Sequence, residues 1–210
     1  TFQGEETIHI QIMETTKNIV MHATELEISS VKLTSESAID SISSIKKVLE
    51  TPEIIFDKEM ETVAFSFDNP IPVGLYDITI KFSGVLNDQL HGFYRSEYLD
   101  IEGKKSRLAT TQFEATDARR AFPCWDEPAI KATFQVTLIV SKSLTAISNT
   151  LPENEVDSGS GMKTVRFAET PKMSTYLLAF IVGDLSSVQQ MTPHGTLVRV
   201  WATRGKEEQG

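Results

Sequence analysis

The 210 residues carry 20 Lys and Arg against 29 Asp and Glu, a formal net charge of -9, and 40% of them are hydrophobic. This acidity excludes a phosphate-neutralising nucleic-acid binder and suits cationic partners. The longest unbroken apolar run, residues 176–182, is far short of the ~20 residues a membrane helix requires, Cys124 is the only cysteine, and His9, His22, His91 and His194 include no pair at metal-ligand spacing, so neither an internal disulfide nor a complete zinc site is expected.

The length fits one sizeable core, and the simplest reading is a single domain over residues 1–210. The sequence opens on Thr1 and Phe2 without an initiator Met, a basic n-region or an apolar h-region. Strand-like alternation begins at once, at Ile8, Ile10 and Ile12. Together with a polar, glycine-punctuated end at residues 204–210, this predicts a domain cut from a longer protein, with its first strand missing.

Period-two alternation recurs at Leu26/Ile28, Val63/Phe65/Phe67, Tyr76/Ile78/Ile80/Phe82 and Phe134/Val136/Leu138, each predicting a strand with one buried face. Turn chemistry punctuates it at residues 68–70, 72–74, 87–88, 102–103, 157–161 and 193–195. Ile39, Ile42, Ile45 and Val48 or Leu49 recur at helical spacing, but serine-rich and β-branched composition favours a strand there. Residues 101–107 predict the charged tip of a hairpin, and residues 157–161 predict a second hairpin, between 146–148 and 165–167. Short strands at this spacing predict an all-β, sandwich-like fold.

Residues 110–128 fit neither a clean strand nor a long helix. Thr116 to Ala121 predicts one short helical turn, capped by Thr116 and stopped by Pro123. Upstream, alternation puts Gln112 and Glu114 on one face and Phe113 on the other. A carboxylate takes an ammonium and an amide offers both donor and acceptor, so the pair can bind a ligand, but spacing alone favours a solvated polar face. Asp126 and Glu127 read as turn anchors or partners of Arg119 and Arg120 rather than as an acid/base pair, and Cys124, with no histidine near it in sequence, as a buried free thiol.

Gln112-Phe-Glu-Ala-Thr-Asp-Ala-Arg-Arg-Ala-Phe-Pro-Cys-Trp-Asp-Glu-Pro128 closely resembles the N-terminal domain of the zinc aminopeptidases of the puromycin-sensitive, aminopeptidase N and leukotriene A4 hydrolase family, above all its puromycin-sensitive branch. Residues 2–5, 84–88, 92–98, 148–149, 170–183 and 205–210 extend the likeness over nearly the whole chain. The resemblance implies a saddle-shaped, mainly antiparallel β-domain that packs on a downstream catalytic domain, where the zinc ligands of H-E-x-x-H and the G-x-M-E-N strand reside. It further implies that Glu114 binds the free α-amino group of peptide substrates, that Gln112 lines the first side-chain pocket, and that the Glu114–Ala115 bond is cis. Catalytic and metal-binding residues are then absent from this fragment, which alone is inactive. The nearest branch points to the cytoplasm. The competing reading is a non-catalytic β-sandwich peptide-binding module from a relative lacking zinc, distinguished by whether the two downstream motifs are present.

Overall fold

The structure is a computed structural model and describes residues 1–39, 46–48 and 51–209, the side chains of 36–39 and 46–48 excepted. It is all-β, with antiparallel sheets and three single-turn 3-10 segments. Two compact units divide the described residues, and both are discontinuous: residues 1–86 with 116–127, and residues 87–115 with 128–210.

The first unit holds β1 (Phe2–Ile12), β2 (Thr16–His22), β3 (Leu26–Ile39), β4 (Lys46–Val48), β5 (Glu53–Asp57), β6 (Thr62–Ile71) and β7 (Gly74–Gly84). They form two sheets, in the orders β1-β7-β3-β4 and β2-β6-β5. The alternating apolar positions of the sequence face inward: Val63, Phe65 and Phe67 from β6 meet Tyr76, Ile78, Ile80 and Phe82 from β7 in one core. Burying each such side chain stabilises the fold by about 1.5–3 kcal/mol before conformational entropy is counted. Phe122 and Trp125 pack against this core, so residues 116–127 are held by it. Ile39 and Val48 lie in strands, as composition favoured, while Ile42, Ile45 and Leu49 fall outside the described residues.

Residues 68–70 are a correction. They form no turn but lie within β6, where the pairing slips from Asn18↔Ser66 to Thr16↔Ile71. A bulge tolerates Pro70 because no ladder hydrogen bond is required of it. The reversal comes at residues 72–73, directly before β7.

The second unit holds β8 (Gly92–Leu99), β9 (Lys105–Gln112), β10 (Lys131–Ala132), β11 (Thr137–Ser141), β12 (Thr145–Ser148), β13 (Pro152–Gly159), β14 (Met162–Phe167), β15 (Met173–Ser174), β16 (Phe180–Gly183), β17 (Leu185–Met191) and β18 (Leu197–Thr203). Its largest sheet runs β12-β16-β9-β8. The 101–107 hairpin is present as β8 and β9, paired from Gly92↔Gln112 to Leu99↔Lys105. Its tip is held by Asp100, whose Oδ1 accepts from the backbone N–H of Glu102 and Lys104 at 3.0 and 2.9 Å. The second hairpin is corrected: residues 157–161 join β13 to β14, whereas β12 pairs with β16. Every residue of β13 is exposed, so no apolar alternation announced it. Phe134 and Val136 precede β11 and continue towards Thr170 and Phe167 by isolated backbone bonds, with the Phe134 N–H donating to Thr170 Oγ1 at 3.0 Å.

Candidate functional site

Gln112 is the last residue of β9, and it lies opposite Gly92, whose missing side chain leaves the amide unflanked on that edge. Gly92 has φ of 67°, a left-handed conformation that an L side chain adopts only with strain. The next residue, Phe113, is 2% exposed, while Gln112, Glu114, Ala115 and Thr116 are all exposed. One inward ring therefore separates two outward polar side chains, the arrangement the alternation predicted. Among the described residues of this unit neither polar side chain has a hydrogen bond or ion pair. The Glu114–Ala115 peptide is cis.

The inward ring has aromatic company. Phe180, at the start of β16, stands edge-to-face with Phe113 at 6.0 Å between centroids and 72° between planes. Phe93, from β8, meets the same Phe180 ring at 4.9 Å and 71°. Such pairs contribute about 0.5–1.5 kcal/mol each beyond area burial. Side chains of neighbouring residues fix the backbone around Phe180. Its N–H donates to Thr111 Oγ1 at 3.1 Å, and the Ala179 N–H donates to Asn149 Oδ1 at 2.8 Å. Ser148 Oγ donates in turn to the Ala179 carbonyl at 2.9 Å. Nothing in the spacing of Phe180 linked it to Phe113; the only sequence signal was its place in the apolar run of residues 176–182.

The other candidates are structural. Asp126, 3% exposed, accepts from the Arg119 Nε and backbone N–H at 3.1 and 3.2 Å. Arg119 Nη1 also reaches Glu61 at 3.1 Å, and Arg120 pairs with Asp117, Glu25 and Glu61. The short turn is the 3-10 segment Ala118–Arg120; Thr116 does not cap it, and Asp117 engages Arg120 instead. Glu127 is exposed. Cys124 is buried and exchanges two backbone hydrogen bonds with His22, and burial, reinforced by the nearby Asp126 and Glu6 carboxylates, pushes its thiol pKa well up, away from nucleophilic reactivity. His22 Nδ1 accepts from the Asp126 N–H at 3.2 Å, His9 pairs with Asp77, and His91 pairs with Gln89. Arg95 forms an exposed pair with Asp88 at 2.9 Å. Among the described residues no three His, Cys, Asp or Glu side chains gather as a metal-binding group.

One half-buried acid with a buried carboxyl oxygen was not anticipated. The Oε1 atom of Glu6 is buried without a hydrogen-bond partner, and burial pushes its carboxyl pKa well above the ordinary range. Parity offered the signal, because Glu6 shares the inward register of Ile8, Ile10 and Ile12 on β1.

The comparison with known families is decisive. Residues 1–177 match the Peptidase M1 N-terminal domain. The chain belongs to the Peptidase M1 N-terminal domain family. Across its whole length this M1 N-terminal domain is 42% identical to aminopeptidase M1 of Arabidopsis thaliana and to the puromycin-sensitive aminopeptidase of Caenorhabditis elegans, and 38% identical to aminopeptidase N of Canis lupus familiaris. It spans 23%, 21% and 22% of those relatives respectively. The M1 domain is thus matched by about a fifth to a quarter of each protein, and no helix among its described residues is long and apolar enough to cross a membrane.

Proposed function

We propose that residues 1–210 are the N-terminal β-domain of a zinc metallo-aminopeptidase, and that Glu114 anchors the free α-amino group of its peptide substrates. The observation that carries this reading is the exposed, unpaired Glu114 carboxylate beside Gln112, both projected by the buried Phe113. An enzyme that removes residues from one end must measure from that end. A carboxylate held in the turn just past the end of β9 accepts hydrogen bonds from the ammonium and fixes how far the first peptide bond lies from it. Gln112, unflanked beside Gly92, lines the space for the first side chain.

On this reading the zinc and its chemistry are supplied by a downstream catalytic domain, the chain's own partner, since the chain spans only about a fifth to a quarter of its aminopeptidase relatives. The fragment alone is inactive. A cytoplasmic location accords with a lone thiol and with the likeness to the puromycin-sensitive enzyme.

The test is Glu114→Ala in the full-length protein. Hydrogen bonds to charged groups are worth about 1.5–3 kcal/mol, so kcat/KM for an aminoacyl-anilide falls roughly 10- to 100-fold with zinc content unchanged. Equal activity of variant and wild type refutes the assignment.

A further inference from the structure

We propose that Phe180 is a positioning residue for the amine anchor: it braces Phe113 against Phe93, and through Phe113 it sets the direction in which Glu114 and Gln112 point. This rests on the reading of Glu114 given above. Between Gln112 and Thr116, Phe113 is the only buried residue, so a single ring determines how the segment attaches to its unit. That ring comes after the end of β9, where ladder hydrogen bonds no longer fix the backbone. It stands edge-to-face with Phe180, which is itself buttressed by Phe93 at 4.9 Å.

The three rings come from three adjacent strands of one sheet or their ends, β8, β9 and β16. Thr111, which accepts from the Phe180 N–H, lies opposite Phe93 in register. The brace is therefore tied to the backbone on both sides of β9. Its middle member is held by side chains of its neighbours, because Thr111, Asn149 and Ser148 fix the peptide groups on both sides of Ala179 and into Phe180. An anchor that measures distance loses alignment when its support shifts, and a displacement of about 1 Å can cost on the order of 100-fold in rate. Phe180 never needs to touch the substrate to have this effect.

The experiment is a double-mutant cycle in the full-length protein, with Phe180→Leu, Glu114→Ala and the two combined, assayed on an aminoacyl-anilide. Phe180→Leu lowers kcat/KM about 10-fold in the wild-type background and has less than a 2-fold effect once Glu114 is Ala, because nothing is left to position. Phe180→Tyr, which restores the ring, recovers most of the loss. A merely structural role for Phe180 lowers activity by the same factor in both backgrounds, and that result overturns the proposal, as does an absence of any loss. Should Phe180→Leu fail to fold, Phe93→Leu weakens the same brace from its outer end and is read by the same cycle. If Glu114→Ala alone costs nothing, the anchor reading itself fails and this proposal falls with it; loss at Glu114 without coupling to Phe180 removes the positioning role alone.

Discussion

Asp126→Ala tests whether the paired carboxylates at 126–127 hold the fold. In the native structure one Asp126 oxygen accepts from both the Nε and the backbone N–H of Arg119, and its side chain is 1% exposed. Removing it leaves a buried guanidinium with its Nε unsatisfied. Breaking a buried ion pair from one side costs about 3–5 kcal/mol. Arg119 keeps Glu61 at 3.1 Å and the Asp126 carbonyl at 3.5 Å, so the lower end, about 3 kcal/mol, applies. For a chain of this length that corresponds to a fall in Tm of roughly 6–12 °C by calorimetry. Asp126→Asn, which keeps an oxygen for the Arg119 N–H but loses the charge, falls between Asp126→Ala and wild type. Glu127→Ala, at an exposed site, stays within about 0.5 kcal/mol of wild type. Indistinguishable melting of Asp126→Ala and Glu127→Ala refutes the reasoning.

Two further predictions concern buried titratable groups. The folded state keeps a proton on Glu6 that the unfolded state releases above about pH 4.5, the ordinary carboxyl value, so this group's contribution to stability is full below that pH and declines as pH rises through the raised folded value. Glu6→Gln is neutral throughout and removes that decline; urea midpoints measured from pH 4 to 8 show the variant gaining on wild type with rising pH, and parallel curves refute the assignment. The Cys124 thiol, buried and raised, reacts with a thiol reagent on the timescale of unfolding rather than of encounter, so labelling at native conditions is slow and becomes fast in urea. Equal rates in both conditions contradict its burial.

The strands with apolar alternation were legible because one face of each is buried: Phe65 and Ile78 are fully buried at the positions parity assigns. Exposed β13 was illegible for the opposite reason, since it buries no face and is held to β14 by the backbone ladder and by exposed polar pairs such as Glu155 with Lys163 and Ser158 with Thr164. Asp68 to Pro70 misled because the same residues that make turns also occupy bulges. At the candidate site, the outward placement of Gln112 and Glu114 followed from local alternation, whereas the Phe93–Phe180–Phe113 brace joins residues far apart in sequence, which no short-range pattern encodes. Their proposed role came from the family resemblance, because spacing alone favoured a solvated face.

The discontinuity of both units governs how the chain can be dissected. A fragment ending at residue 86 contains the two sheets of the first unit but lacks residues 116–127, and with them the backbone partners of His22, the guanidinium facing Glu61, and the rings of Phe122 and Trp125 that cover the core. Such a truncation exposes apolar surface and leaves carboxylates without counterions. A minimal version of this unit keeps residues 116–127 joined to residue 86 rather than stopping the reading frame there, and genetic tags or cleavage sites inserted at the hairpin tip of residues 101–104 leave both units with all their segments.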